Sequence, residues 1–224
     1  MNNSDHIYSN LDLKKLLIPI IVEQLLSCLM GTVDTMMVSN VGSAAISAVS
    51  LVDSINVLVI QALSALAAGG AILCSQYLGS HNEKSANHAA RQVLLVMAVL
   101  STALSLLCLL FRVPLLHFIF GKVEADVMAN SQSYFLFTLL SFPFIGLYDA
   151  GASIMRAQND SRRPMIISVI SNFLNIGGNA ILIFGLNMGV AGAAISTLIS
   201  RIFCAVVVIL SLIHISEPTR QAEI

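Results

Sequence analysis

"LLIPIIVEQLLSCLMGTVDTMMV", residues 16–38, is nearly continuous hydrocarbon broken by two acids, Glu23 and Asp34. A bilayer core about 30 Å thick takes roughly 20 helical residues to cross, and this run is long enough. Five more runs of the same kind follow, at about 50–78, 88–111, 127–155, 165–185 and 189–212. The second and fourth exceed the minimum length and predict tilt or extension beyond the lipid. The chain of 224 residues is 57% hydrophobic and 10% charged, with a mean hydropathy of +0.87. A soluble domain of this size has no use for so much apolar surface, so the expected fold class is an all-α integral membrane protein with six transmembrane helices.

The same composition limits the partners. A net charge of -1 gives no electrostatic footprint for nucleic acid. The first partner is the lipid bilayer itself. Trp is absent, so aromatic anchoring at the interfaces falls to Tyr and Phe. Cys28, Cys74, Cys108 and Cys204 lie singly within apolar runs, without zinc or CxxC spacing, and read as small packing residues. No small-residue cleavage site follows a short apolar core, so the first run is expected to be a span rather than a signal peptide.

Charge sets the expected orientation. One side of the membrane receives Lys14 and Lys15, then Lys84 and Arg91, then Arg156, Arg162 and Arg163. The other side receives Arg112 and Lys122, while its connections "SNVGSA" and "GLNMG" carry no basic residue. By the positive-inside rule the N-terminus is cytoplasmic. Residues 1–15 then form a cytoplasmic lead, with an interfacial helix ending at Lys14 and Lys15 as one reading. The expected location is the plasma (cytoplasmic) membrane.

Polar residues inside the spans are the functional candidates. Glu23 and Asp34 are eleven residues apart and fall on nearly one line of the first helix, with Ser27 and Gly31 beside it. An Asp at a span centre costs about 2.5–3.5 kcal/mol on insertion scales. Taking a proton, binding a cation or pairing lowers that cost. Asp34 is also late in its span, so a hydrogen bond to a neighbouring helix or a place near the outer headgroups stays open. In the second span Asp53 shares a face with Ser64 but lies near the outer end, where water can reach it. In the fourth, Asp149 and Arg156 are seven apart on one face and read as an ion pair. The fifth span places Ser168, Asn172, Asn175 and Asn179 along one face, as interhelical glue or as carbonyl ligands for a hard cation. Arg201 sits near the middle of the sixth span and should face a cavity or an acid. No enzyme signature is present: no GxSxG, HExxH or phosphate-binding loop.

Four stretches, in order, resemble the multidrug and toxic compound extrusion (MATE) family. They are "MGTVDTMMVSNVGSAAISAVS", "SQYLGSHNEKSANHAARQ", "RAQNDSRRPM" and "LNIGGNAILIFGLNMGVAGAAISTLISR". Together they extend over most of residues 16–209, and they look most like the bacterial, cation-driven members. The resemblance implies a twelve-helix fold of two six-helix lobes around a central cavity. It implies export of small amphipathic drugs or toxic compounds by alternating access, with Na+ or H+ as coupling ion and no other cofactor. It also implies a cation site in the N-terminal lobe. Carried onto matching positions, that site is Asp34, Asn175, Asn179 and Thr197, with Na+ possible at Asp34. Glu23, Ser27, Asp53, Asn172 and Arg201 remain as a secondary polar stripe. This sequence departs from the pattern at Asn179, which stands where several members have a second carboxylate. A one-acid site should hold fewer protons and bind sodium more weakly, so the coupling ion stays open.

Six spans make one lobe, so residues 16–209 are expected to be an N-terminal half whose partner is a missing C-terminal lobe. The tail "LSLIHISEPTR", 210–220, turns abruptly polar. It resembles the in-frame translation of a transposon-based sequencing adapter, and residues 210–224 are expected to be non-native. Two alternatives remain beside the truncated antiporter. One is a flippase for lipid-linked saccharides on the same fold, which calls for a more cationic cavity. The other is a half-size subunit that dimerises, or a non-transporting membrane module.

Overall fold

The computed structural model describes the backbone of residues 10–221 and the side chains of 13–214. The start of the lead, residues 1–9, and the last three residues of the tail lie outside the described residues. Helix α1 spans Asn10–Val38, α2 Ser43–Gly79 and α3 Glu83–Leu110. A short α4, Arg112–Phe120, precedes α5, Ala125–Ala157. Helix α6, Arg162–Asn179, runs into a π-helical turn, Ala180–Gly185, and α7 spans Gly189–Gln221. Among the described residues, six helical segments are long and apolar enough to cross a membrane: Leu13–Val38, Ser43–Gly79, Glu83–Leu110, Ala125–Ala157, Arg162–Gly185 and Gly189–His214.

Local chemistry explains where the helices stop. His81 adopts a left-handed φ of 56° after α2, and the Asn82 side chain then accepts from Ser85 N at 3.1 Å to cap α3. Asn159, at φ 63°, makes the turn into α6, where Asp160 Oδ1 accepts from Arg163 N at 3.2 Å. Pro164 sits in the first turn of α6, where a missing N–H breaks no helical bond. The π turn closes through Leu186 N to Ile181 O at 2.9 Å, a five-residue step.

Helix α5 is the hub. It packs against α2, α3, α4 and α7, and half of its apolar window is buried, against 11% for α1. Its buried Phe135, Leu139 and Phe142 join Val49 and Val52 of α2 and Ala193 and Ala194 of α7 in the main core. Close approach depends on glycine at two points on α5. A Cβ on Gly146 would lie 2.7 Å from Ser101 of α3, and one on Gly151 would lie 2.9 Å from Val208 of α7. Small residues at these crossings let the backbones meet, which is how helices associate in lipid. The outer surface is oil: Leu58 is 74% exposed, Phe173 73% and Phe118 88%. Helix α1 lies at the edge of the bundle and packs chiefly against α6.

Several expectations shift. Helix α2 begins at Ser43 rather than near 50, since Ala44, Ala45 and Ala48 favour helix, and α3 at Glu83 rather than near 88, since the Asn82 side chain caps it. Helix α1 starts inside the lead at Asn10 and passes through Lys14 and Lys15 without a break. Helix α4 has no counterpart among the six apolar runs; its nine residues are too few to span, and it packs against α5 and α3. Helix α7 continues past Ile209 to Gln221 as one helix.

Candidate cation site

Asp34, Asn175, Asn179 and Thr197 form a closed ring of side chains. Asn179 donates from Nδ2 to Asp34 Oδ1 and to Asn175 Oδ1 at 3.3 Å. Asn175 Nδ2 donates to Thr197 Oγ1 at 3.2 Å, and Thr197 Oγ1 lies 3.2 Å from Asp34 Oδ2. The same hydroxyl is 3.0 Å from Ala193 O, so its single hydrogen has two acceptors to choose between. Asn175 and Asn179 are fully buried, and Asp34 and Thr197 are 4% exposed.

The local sequence sets this geometry. Asn175 and Asn179 are one helical turn apart and project side by side from α6. The Asn175 carbonyl accepts from Ser196 Oγ at 2.8 Å, and a Cβ on Gly178 would collide with that same Ser196 side chain. The glycine therefore lets α7 approach closely enough for Thr197 to reach the ring. Gly177, on the other side, would meet nothing within 4 Å. The π turn begins immediately after Asn179, a feature often found beside functional residues.

Placing the carboxylate costs about 2.5–3.5 kcal/mol, and each hydrogen bond to a charged acceptor returns roughly 1.5–3 kcal/mol. Donors from Asn179 and Thr197 offset part of the cost of a buried anion. One atom is left over: Asn179 Oδ1 is buried and has no hydrogen-bond partner among the described residues. The ring thus offers a carboxylate, two amide oxygens and a hydroxyl, the oxygen donors that suit a hard cation. No group of three His, Cys, Asp or Glu that would suit a transition metal occurs among the described residues.

The secondary polar residues are not drawn into this ring. Asn172 is buried but its Nδ2 bonds Ser168 O of its own helix at 2.8 Å. Ser27 is exposed, and a Cβ on Gly31 would meet nothing within 4 Å. The α1 stripe is therefore open between its two buried acids. Asp53 is not left to water as its place near the outer end suggested. Tyr134 Oη and Asn56 Nδ2 both donate to its Oδ1 at 3.2 Å, because α5 passes over that end of α2. Arg201 donates from Nη1 to Ser141 Oγ at 2.6 Å.

Glu23 belongs to a second cluster nearer the basic end of the bundle. Arg156 Nη1 lies 2.9 Å from Glu23 Oε2, and Tyr148 Oη donates to Glu23 Oε1 at 2.8 Å. This corrects the pairing expected within α5: Arg156 goes to Glu23 on α1, not to Asp149. Seven-residue spacing put Asp149 and Arg156 on one face, but the facing helix supplied a nearer acid. Tyr148 and Ser153 were not singled out from the sequence. A lone tyrosine or serine in an apolar run carries no signal of its own until the helix packed against it is known.

Comparison with known proteins agrees with this architecture. The MatE family model matches residues 19–181. The chain is 33% identical over 189 residues to the uncharacterized transporter YisQ of Bacillus subtilis, covering 82% of this chain and 41% of that protein. It is 28% identical over 194 residues to the probable multidrug resistance protein NorM of Thermotoga maritima, covering 85% and 41%. A solved outward-facing multidrug resistance MATE family transporter of the MOP superfamily superposes with a TM-score of 0.81 at 25% identity, over 88% of this chain and 43% of that one. The chain spans about two fifths of the length of these relatives. With a family model matched across most of its length, a fold shared with solved members and six membrane-length helices, the chain belongs to the MatE family.

Proposed function

We propose that this chain is the N-terminal six-helix lobe of a cation-coupled antiporter that exports amphipathic drugs or toxic compounds, with Asp34 as the coupling acid. The observation that carries this reading is the buried ring of Asp34, Asn179, Asn175 and Thr197, which ties α1 to α6 and α7 through one carboxylate. A proton or Na+ arriving at Asp34 neutralises the charge that orders the ring's donors. The Asn179 amide then has no anion to serve, and its unpartnered Oδ1 becomes useful as a ligand. The position of α1 thereby comes to depend on the ion, which is what alternating access needs from a coupling site. The relatives' descriptions as multidrug resistance proteins support the export reading.

The same reading places the N-terminus in the cytoplasm and the chain in the cytoplasmic membrane, supported by the basic residues on that side. A second lobe completing the cavity is supported by the share of each relative's length that this chain covers. Drug export is preferred to saccharide-lipid flipping because Arg201 is the one basic residue deep within a span, too few cations to hold a pyrophosphate. The direct test is Asp34→Asn in the complete protein. Ion-dependent drug export should be lost while the protein still reaches the membrane; unchanged export and unchanged ion dependence would sink the assignment. Reading the coding sequence past codon 209 tests the two-lobe arrangement: six further spans support it, and an early stop codon contradicts it.

A further inference from the structure

Arg156 shares one face of α5 with an acid, Asp149, yet pairs with another. Its Nη1 is paired with Glu23 of α1 at 2.9 Å, while Nη2 donates to Ser153 Oγ at 3.1 Å, one turn back along α5. Helical side chains lean toward the N-terminus, so the guanidinium already lies over the turn of Ser153. Asp149 is the next residue on that line, four before Ser153 and a rise of about 6 Å away. Its Oδ2 is buried and has no hydrogen-bond partner among the described residues. An oxygen left in that condition is costly unless another state of the molecule uses it. Asp149 stands within electrostatic reach of Arg156, Glu23 and Arg201, and Arg201 is engaged with Ser141.

The other donor on Glu23 has the same duplicity. Tyr148 Oη is 2.8 Å from Glu23 Oε1 and 3.2 Å from Pro164 O at the start of α6. Tyr148 therefore has a second acceptor close at hand, and Arg156 has Asp149 two turns back along its own face of α5. Glu23 in turn is one of few points at which α1 is held. Among the described residues the buried side chains of that helix are Pro19, Glu23, Asp34 and Val38, and the stripe between the two acids is open. A helix docked by two acids cannot leave without stranding their partners. Arg156, with 24% of its side chain exposed, would become a largely buried unpaired cation if Glu23 withdrew.

We infer that Arg156 is a two-position switch, paired with Glu23 when the inner half of α1 is docked and with Asp149 when it is not. Tyr148 moves in parallel, from Glu23 to the Pro164 carbonyl. The switch gives Arg156 a carboxylate partner on both sides of the movement, so α1 detaches without leaving a bare cation in the bundle. Glu23, Asp149 and Arg156 act here as positioning residues, distinct from the Asp34 ring. The inference rests on the transporter reading only for its purpose in the cycle; its test reads the helix position and needs no transport.

Spin labels at Leu17 on α1 and Leu95 on α3, both exposed, report the docking of α1 by their distance distribution, with the four native cysteines replaced by alanine and the protein in lipid nanodiscs. Glu23→Gln should shift the docked-to-undocked ratio toward the undocked state by about tenfold, the effect of losing a mostly buried pair whose cation finds another acid. Adding Asp149→Asn should reverse most of that shift, because the undocked state then loses its partner. Asp149→Asn alone, which leaves the Glu23 pair intact, should deplete the undocked population while the protein stays folded. A Glu23→Gln distribution equal to wild type, or a double variant equal to Glu23→Gln, would overturn the switch. Should Glu23→Gln not fold, an Asp149→Asn distribution equal to wild type would overturn it as well. A failure of drug export with these distances behaving as described would count against the proposed function and leave the switch standing.

Discussion

Asn179 turns its amide nitrogen, not its carbonyl oxygen, toward Asp34. The second hydrogen of the same nitrogen goes to Asn175 Oδ1, which leaves Asn179 Oδ1 buried and without a hydrogen-bond partner among the described residues. That orientation serves a carboxylate that carries its charge. The leftover oxygen is in place for a state in which the charge has been neutralised.

Asn179→Asp should change what the ring binds. A second carboxylate beside Asp34 makes two acids share one buried site, a cost that a cation relieves. Sodium should then raise the melting temperature of the purified protein more in the variant than in wild type, since a ligand that binds the folded state stabilises it in proportion to its occupancy. Thermal unfolding in detergent with NaCl against choline chloride checks this. Equal sodium effects in the two proteins would count against the ring as a cation site.

Thr197→Val removes the hydroxyl while nearly keeping the volume, so Asn175 Nδ2 and Asp34 Oδ2 each lose a partner in a buried place. The expected loss of stability is about 1–3 kcal/mol. Thr197→Ser keeps the oxygen and should retain most of the stability. Unfolding titrations of the two variants, side by side, separate the hydrogen bond from the methyl contact.

Gly146→Ala and Gly151→Ala should each destabilise the bundle by about 1–3 kcal/mol through overpacking. The new methyl at 146 would meet Ser101 at 2.7 Å, and the one at 151 would meet Val208 at 2.9 Å. Gly31→Ala, where a Cβ meets nothing within 4 Å, should be neutral or slightly stabilising as a helix-interior replacement. Thermal melts of the three variants give the ranking; a destabilised Gly31→Ala beside a tolerant Gly146→Ala would contradict the described packing.

The six spans were legible in the sequence because hydropathy over some twenty residues is a bulk property of each segment. Asp34 was legible for the same reason in reverse, as an expensive acid in oil. The asparagine row was visible as spacing along α6, while the joining of Asn175 and Asn179 to Asp34 and Thr197 came from resemblance, since no periodicity links residues 145 positions apart. Other features were out of reach. Helix α4 is too short to register as a span. The π turn after Asn179 is a matter of backbone register. Spacing within one helix made Asp149 the natural partner of Arg156, because a single helix cannot announce the acid that its neighbour brings.

The central claim is that Asp34 couples an ion gradient to export. Its most direct measurement is efflux of a fluorescent cationic drug from proteoliposomes of the complete protein, with an imposed proton or sodium gradient and without one, for wild type and Asp34→Asn. The expected result is that one gradient accelerates wild-type efflux and neither accelerates the variant. A variant that keeps the full gradient-driven acceleration would contradict the claim.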